Sequence, residues 1–263
     1  MPHAEVNGQR LFYEDSGGVG PPIAFSHGLF MDHTMFVPQV QTLRERYRCV
    51  SWDERGHGQT GDVTEAFTYW DSADDLAALL KSLGVDRAVL VGMSQGGYLS
   101  LRAALAHPEL VRGLILIDTQ AGPENPDVMP YYQQLLERWL NQGMDDELAA
   151  TIEAIILGQG YADAERWKTG WKQLHGENIQ RLFTALAQRD DISGRLGEIG
   201  VPALVIHGDH DAAISTDRAQ ALASGLPDAE LVLIEGAGHA SNLTHHDLVN
   251  PHIEGFLEER VSL

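Results

Sequence analysis

The stretch Ala88-Val-Leu-Val-Gly-Met-Ser-Gln-Gly96 decides the fold predicted for this chain. It opens with a short apolar run, which is typical of a strand buried on both faces of a parallel sheet. Gly92-Met-Ser-Gln-Gly96 then matches G-x-S-x-G, and Gln95–Ala106 is apolar nearly all round, which indicates a buried helix. We therefore expect Ser94 on a sharp strand-to-helix turn, with its hydroxyl exposed at the helix N-terminus. A purely structural N-cap is the alternative role for this serine.

Strand-like and helix-like runs alternate on both sides of this stretch, which predicts a mostly parallel sheet covered by helices. Asn7-Gly8 joins two earlier strands, at about 3–7 and 10–15, and predicts a hairpin. The other predicted strands are Ile23–Ser26, Cys49–Trp52, Gly113–Ile117, Ala203–Ile206 and Leu231–Ile234. Together with Ala88–Val91 they predict an α/β fold with eight strands.

Two signals predict where individual helices begin. Ser72-x-x-Asp75 resembles a capping box before a run with helical periodicity. Asn250 followed by Pro251 predicts the start of the last helix, because proline is favoured at the first helical position.

The alternation stops between about residues 121 and 189. Helical patterns follow one another there, at about 128–142, 145–157, 163–174 and 177–188, without a strand between them. An all-helical insertion indicates a cap over the carboxyl edge of the sheet, where ligands bind in such folds. We expect a core made of residues 1–120 and 190–263 and a helical cap at 121–189.

A serine hydroxyl needs a base, and the base needs an acid that fixes its tautomer. His239 is the predicted base, because Gly236-Ala-Gly-His239 forms a flexible loop directly after the last strand. Asp211 is the predicted acid, since it lies far enough beyond its strand to reach that loop. Asp118, at the end of Gly113–Ile117, is the alternative acid.

The tetrahedral intermediate of such chemistry needs backbone N–H donors, for which we predict Gln95 and Leu29. Phe30, Met31 and Met93 flank the site in sequence and are predicted to line an apolar substrate pocket. Aromatic residues of the helical segment are candidates either for its roof or for ordinary packing: Tyr131, Trp139, Trp167 and Trp171. In the neighbouring loops we expect architectural roles, for His27 as a hydrogen-bonding group and for Asp53 with Arg55 as a turn-fixing pair.

No metal or cofactor is implied by these residues. His207, Asp209, His210 and Asp211 are all metal-ligand types, but consecutive side chains point in divergent directions, which disfavours a metal site. The only cysteine, Cys49, excludes an internal disulfide and a Cys₂ zinc site.

The net charge of the chain limits the kinds of partner that it can bind. The formal net charge is -20, from 18 basic and 38 acidic residues, and this excess repels phosphate backbones and anionic lipid. We therefore expect neither nucleic acid nor membrane partners. Without a secretory signal at the N-terminus or a long apolar run, a cytoplasmic location is the default expectation. A homo-oligomer is left open.

Taken together, these residues resemble the α/β-hydrolase superfamily over nearly the whole chain. The order Ser94, Asp211, His239 is similar to its nucleophile–acid–histidine order. The His27-Gly28 loop and Asp53-x-Arg-Gly-x-Gly58 resemble its branch of small capped aryl esterases, cofactor-free haloperoxidases and enol-lactonases. Serine at the nucleophile position differs from the aspartate of haloalkane dehalogenases and epoxide hydrolases.

The resemblance implies a serine hydrolase that cleaves small carboxylic esters or lactones through an acyl-enzyme, with such a small molecule as its partner. A cofactor-free perhydrolase or a carbon–carbon bond hydrolase would use the same triad. A small-molecule receptor with slow turnover is an alternative from another class.

Overall fold

The computed structural model of the chain describes residues 2–261 and contains one eight-stranded sheet. Its strands are β1 (His3–Val6), β2 (Gln9–Asp15), β3 (Pro22–Ser26), β4 (Arg48–Trp52), β5 (Ala88–Met93), β6 (Val111–Ile117), β7 (Ala203–Gly208) and β8 (Ala229–Ile234). They lie in the order β1-β2-β4-β3-β5-β6-β7-β8. The pairs β1–β2 and β2–β4 are antiparallel and the others are parallel. The predicted fold class is confirmed.

Helices cover both faces of this sheet. They are α1 (Val37–Leu43), α2 (Tyr69–Ser82), α3 (Gln95–Ala106), α4 (Met129–Gln142), α5 (Asp146–Ile156), α6 (Ala164–Trp171), α7 (Gly176–Ala187), α8 (Thr216–Gly225), α9 (Ser241–Thr244) and α10 (His246–Arg260). Apolar side chains of α2, α3 and α8 belong to one core, and those of α1 and α10 belong to a second core.

The central strands contribute to both cores. In β5, Leu90 packs in the core of α2 and α3, whereas Val89 and Val91 pack in the other core. Successive residues of a strand point to opposite faces, so a strand covered on both sides must be apolar throughout. This explains the continuous apolar runs of the sequence.

The predicted hairpin between β1 and β2 is confirmed. Asn7 and Gly8 have φ angles of 49° and 74°. Two successive left-handed residues define the tight turn that matches the twist of antiparallel strands, and asparagine followed by glycine tolerates it best.

The start of α2 differs from the prediction. Thr68 is the N-cap, and its side chain and that of Asp71 cap each other's backbone N–H groups. Ser72 and Asp75, which the sequence pattern suggested, lie inside the helix and are buried. Asp75 instead accepts a hydrogen bond from Arg55 at 2.7 Å, a tertiary contact that local sequence cannot show.

The last helix also begins earlier than predicted, because α10 starts at His246 and contains Pro251. Asn250 does not cap it. Its side chain accepts a hydrogen bond from Gln39 at 2.7 Å and donates one to Thr42 at 3.0 Å. These bonds to the α1 region hold the helix in place although Pro251 has no backbone N–H to donate.

The helical segment between β6 and β7 contains α4 to α7, close to the predicted bounds. The division into a core and a cap at residues 121 and 189 stays a prediction. Within residues 2–261, none of the helices has the length and apolarity that a membrane crossing requires.

Candidate active site

Ser94 lies at the turn between β5 and α3, as the motif predicts. Its φ of 51° and ψ of -114° are strained for a residue with a side chain. The turn is tight enough that a Cβ on Gly96 would lie 1.9 Å from the Ser26 carbonyl oxygen. Ser94 N–H donates to the Ile117 carbonyl at 2.9 Å, and its carbonyl accepts from Thr119 Oγ1 at 2.7 Å. The end of β6 and the residue that follows it by two positions therefore hold the backbone of the serine.

The structure brings the other two predicted triad residues to this serine. His239 Nε2 lies 3.0 Å from Ser94 Oγ, and His239 Nδ1 lies 2.8 Å from Asp211 Oδ2. The other carboxylate oxygen of Asp211 accepts the backbone N–H groups of Ala213 and Ile214 at 2.8 and 2.9 Å. Asp211 is thus held by its own loop while it faces the imidazole.

The electrostatics of this pair favour a charged complex. Burial alone would lower the pKa of His239, but the charge and hydrogen bond of Asp211 raise that pKa above its ordinary value. Burial would raise the pKa of Asp211, but His239 holds that pKa below its ordinary value. Asp211 therefore stays ionised, and an imidazolium at position 239 is stabilised.

Asp118, the alternative acid, does not hydrogen-bond His239 and instead binds backbone groups of two other segments. Its Oδ1 accepts the Gly208 N–H at 2.8 Å, and its Oδ2 accepts the N–H and hydroxyl of Ser241 at 2.8 and 2.7 Å. It therefore ties the strand end before Asp211 to the loop after His239. Burial, followed by the charge of Asp211, raises the pKa of Asp118 to about 7.

The two predicted oxyanion donors belong to different elements: Gln95 follows Ser94, and Leu29 lies in the loop after β3. Gln95 is the first residue of α3, so its backbone N–H has no partner within the helix. Leu29 lies in a turn closed by the Met31 N–H and the Gly28 carbonyl at 3.0 Å. In such a turn, the N–H of the second residue is not used by the turn itself.

Phe30 follows Leu29 in the left-handed region with a φ of 62°. Its N–H donates to His57 Nε2 at 3.2 Å, and its carbonyl accepts from Trp171 Nε1 at 2.9 Å. Among residues 2–261, the non-glycine residues with positive φ are Asn7, Phe30, Ser94 and Asp118. Phe30, Ser94 and Asp118 lie at this site. Strained backbone conformations cluster at active sites, where the surrounding structure holds them in place.

The buried histidines of the neighbouring loops are architectural. His27 Nδ1 bonds the Gly28 carbonyl at 2.8 Å, while its Nε2 accepts the Glu54 N–H at 3.0 Å. Burial lowers the pKa of His57 to about 3, so this ring is neutral and can accept the Phe30 N–H. Neither ring is placed to serve as a second base.

Asp53 and Arg55 do not form the expected pair. Asp53 accepts a hydrogen bond from the backbone N–H of His33 and another from its ring Nδ1, both at 2.7 Å. Arg55 instead donates a hydrogen bond to Asp75. Both residues still fix loops beside the site, but each does so through a residue distant in sequence, which the spacing of the motif does not reveal.

A cavity of about 120 Å³ opens onto Ser94 and His239. Phe30, Met31 and Met93, the residues proposed from the sequence to contact substrate, line it. The helical segment supplies most of the remaining apolar wall: Leu135, Leu136 and Trp139 from α4, Ile152, Ile155 and Ile156 from α5, and Phe183 and Leu186 from α7. The cavity is therefore suited to an apolar group bound next to the serine.

Of the four aromatic residues considered for the roof, Trp139 alone lines this cavity. Tyr131 is exposed, and Trp167 and Trp171 are packed in the core. Tyr98, Glu124 and Tyr132 also line the cavity, and these polar residues were not predicted from the sequence. A usable signal existed for one of them, since Tyr132 begins the spacing i, i+3, i+4, i+7 that ends at Trp139 on one helix face.

The four metal-ligand types near residue 210 are not gathered into one site. His207 is buried, while Asp209 and His210 are exposed on the surface. His207 and Asp211 instead meet Asp118, and these three have donor atoms within 4.8 Å of one another. Both carboxylates already accept hydrogen bonds on both of their oxygens, which disfavours a cation between them.

The comparison with known families agrees with this geometry. A family model described as alpha/beta hydrolase fold matches residues 21–154, and one described as TAP-like protein matches residues 184–260. The chain belongs to the α/β-hydrolase fold family.

Individual relatives point to several hydrolytic reactions. RutD from Agrobacterium fabrum, named as a carbamate hydrolase, is 30% identical over 97% of both chains. The enol-lactonase from Burkholderia xenovorans LB400 is 27% identical, with a TM-score of 0.89 over 98% of this chain and 100% of that one. A thermophilic esterase from Thermogutta terrifontis is also 27% identical, with a TM-score of 0.87 over 98% and 96%. These similarities support a hydrolytic activity.

Proposed function

We propose that this protein is a serine hydrolase that cleaves small carboxylic esters or lactones through an acyl-enzyme. The observation that carries the proposal is the 3.0 Å contact between Ser94 Oγ and His239 Nε2 beside an apolar cavity. The structural similarity to an enol-lactonase and to an esterase supports the choice of bond.

In the proposed acylation step, His239 Nε2 takes the proton of Ser94 Oγ as this oxygen bonds to the substrate carbonyl carbon. The carbonyl oxygen becomes negatively charged and is stabilised by the backbone N–H groups of Leu29 and Gln95. When the intermediate collapses, the bond to the leaving oxygen breaks, and the proton on His239 passes to that oxygen.

Deacylation repeats the same steps with water. His239 removes a proton from the water as its oxygen attacks the acyl carbon, and the proton then returns to Ser94 when the ester bond to the enzyme breaks. Asp211 keeps the imidazole in the productive tautomer throughout. Phe30, Met31 and Met93 hold the acyl part by burying its apolar surface.

Carbamate cleavage is a second candidate, which the similarity to RutD favours. A carbamate carbonyl is open to the same serine attack, with nitrogen or oxygen as leaving group. The two candidates share a mechanism and differ in the substrate that the cavity accepts.

A substrate panel tests the proposal. Nitrophenyl esters of increasing acyl length, aliphatic lactones and nitrophenyl carbamates are assayed with the wild type and with Ser94→Ala. We expect ester or lactone turnover, with kcat lowered at least about 10⁴-fold in Ser94→Ala. Mass spectrometry of the quenched wild-type reaction is expected to show the acyl group on Ser94.

Other outcomes would redirect the assignment. Faster peracid formation or dienone cleavage than ester turnover would favour the perhydrolase or the carbon–carbon hydrolase. Ligand-induced thermal stabilisation without any product would favour a receptor. Turnover that survives in Ser94→Ala would contradict the proposal outright.

A further inference from the structure

One lining residue of the cavity carries a charge that the proposed reaction does not use. Glu124 lines the cavity, and only 7% of its side chain is exposed. Its carboxylate forms an ion pair with Arg189 at 2.6 Å, and the arginine side chain is 1% exposed. Removing one partner of such a buried pair leaves the other charge uncompensated.

The guanidinium of Arg189 is turned away from the cavity. Its Nε donates to the Gly122 carbonyl at 3.0 Å, and its Nη1 donates to the Leu186 carbonyl at 3.3 Å as well as to Glu124. Its plane lies over the Tyr98 ring at 4.1 Å from the centroid. Arg189 is not a lining residue of the cavity, and its Nη2 is buried without a hydrogen-bond partner. A ligand in the cavity therefore contacts Glu124 and not Arg189.

The other charges around the cavity do not change this balance. Asp211 and Asp118 lie on the far side of His239, and neither lines the cavity. Among the described residues that line it, Glu124 is the one acidic side chain, and lysine and arginine are absent. An acyl group ending in a carboxylate would be taken out of water without a counter-charge, next to a negative one.

We propose that the Glu124–Arg189 pair makes this site selective for uncharged acyl groups. Esters and lactones whose acyl part carries a carboxylate are rejected at the binding step. This inference rests on the proposed ester or lactone hydrolysis and names its substrate class.

Removing the negative charge of Glu124 should reverse this selectivity. Glu124→Gln keeps the size of the side chain and an amide oxygen near Arg189, but it removes the negative charge. The buried guanidinium then has no counter-ion, and the cavity becomes electropositive. An anionic acyl group would supply the missing charge.

A matched pair of substrates measures this effect. One is the nitrophenyl monoester of adipic acid, and the other replaces its terminal carboxylate with an isopropyl group of the same shape. For the wild type we expect kcat/KM for the uncharged ester to be at least about 30-fold higher, mainly through KM, because differential binding appears there. In Glu124→Gln, the ratio should move at least about 10-fold towards the anion.

Two further variants serve as controls. Glu137→Gln removes an exposed carboxylate of α4 outside the cavity and should leave the ratio unchanged, which excludes an effect of net charge alone. Glu124→Gln combined with Arg189→Gln removes both charges and should give an intermediate ratio. This double variant also keeps the test valid if the unpaired arginine prevents folding of Glu124→Gln.

Binding to the Ser94→Ala variant separates this inference from the proposed function. If the wild type cleaves neither ester but the serine variant still binds the uncharged one more tightly, the proposed function fails and the charge selectivity stands. If the wild type cleaves both esters equally well, or if the ratio is the same in all folded variants, the inference is wrong while ester hydrolysis stands.

Discussion

The carboxyl edge of the sheet and the helices α4 to α7 meet at one cavity, but they supply different kinds of side chains. At the sheet edge, polar groups such as Asp118 and Asp211 are bound to fixed backbone N–H groups of strand ends and loops. The helices supply mainly apolar side chains, such as Leu136 and Trp139, whose positions depend on packing. We infer that changes at the sheet edge affect the chemical step, whereas changes in the helices affect which substrate binds.

The largest effect is expected for Asp211→Asn at the sheet edge. The amide keeps the shape of the side chain, but its charge no longer fixes the tautomer of His239 or stabilises the imidazolium. We expect kcat for an uncharged ester to fall by about 10⁴-fold, as for the buried aspartate of other triads. Steady-state kinetics of the folded variant measure this loss.

Asp118→Asn is the matched control for that variant. It makes the same chemical change one strand away, at a carboxylate that ties Gly208 to Ser241 and does not contact the imidazole. We expect a loss of about 10- to 100-fold, as for residues that orient a reacting group indirectly. A larger loss in Asp118→Asn than in Asp211→Asn would assign the acid to position 118.

The sheet edge could be predicted because local sequence determines it. Continuous apolar runs fixed the strands, and residues that follow parallel strands must emerge at the same edge. The sequence alone therefore predicts Ser94, Asp211 and His239 at one edge of the sheet. The sequence separates Asp211 from Asp118 less sharply, because both follow strands. In the structure, Asp211 is the one that hydrogen-bonds His239, at 2.8 Å.

The cavity wall could not be predicted in the same way, because side chains from separate helices define it. Tyr131 and Tyr132 are adjacent in sequence, yet the first is exposed and the second lines the cavity, since one residue rotates a helix face by about 100°. The Glu124–Arg189 pair joins residues far apart in the chain and has no local signal. The actual N-cap of α2, Thr68, was missed for a related reason, because Asp75 binds Arg55 instead of capping the helix.

Leu136→Trp tests whether the helices determine which substrate binds, because the larger side chain fills part of the cavity from α4. A pocket of fixed size discriminates about 10- to 200-fold between ligands that differ by one methylene group. A hexanoate is longer than an acetate by several such groups, so we expect the ratio of kcat/KM for the hexanoate over the acetate ester to fall by at least about 10-fold. Leu140→Trp makes the same replacement at an exposed position of the same helix and should keep the wild-type ratio. An equal loss for both esters would indicate damage to the catalytic groups.

The pH dependence of the reaction gives a smaller, graded effect at the sheet edge. His239 must be neutral to accept the serine proton, and Asp211 raises its pKa above the ordinary value of 6.5. As the pH is lowered, activity should therefore begin to fall while the pH is still above 6.5. With further acidification, kcat/KM for an uncharged ester should drop about tenfold per pH unit. Glu124→Gln should move this limb to lower pH, because Glu124 also raises the pKa of His239. Glu235→Gln, at an exposed carboxylate of the preceding loop, should not move it.

The smallest effect concerns stability and comes from Glu54, a buried carboxyl at the sheet edge that the proposed reaction does not use. Burial raises its pKa well above the ordinary value of 4.5, although it is hydrogen-bonded to the side chain of Gln95. Its Oε1 has no hydrogen-bond partner, which also disfavours the charged form. The folded chain therefore keeps this proton at a pH where the unfolded chain has lost it.

Because the folded state binds more protons between those two pKa values, Glu54 lowers the free energy of unfolding as the pH rises through that interval. Glu54→Gln removes this term while it retains a neutral polar group of the same size. We expect the Tm of the variant to exceed that of the wild type by at least about 2 °C more near pH 8 than near pH 5, since about 1 kcal/mol shifts Tm by about 2–4 °C in a domain of this size. Glu65→Gln, at an exposed glutamate, should show no such difference. If the Tm difference between Glu54→Gln and the wild type is the same at both pH values, the Glu54 carboxyl is ionised in the folded protein. The sheet edge then contains a buried charge that is stabilised by the side chain of Gln95.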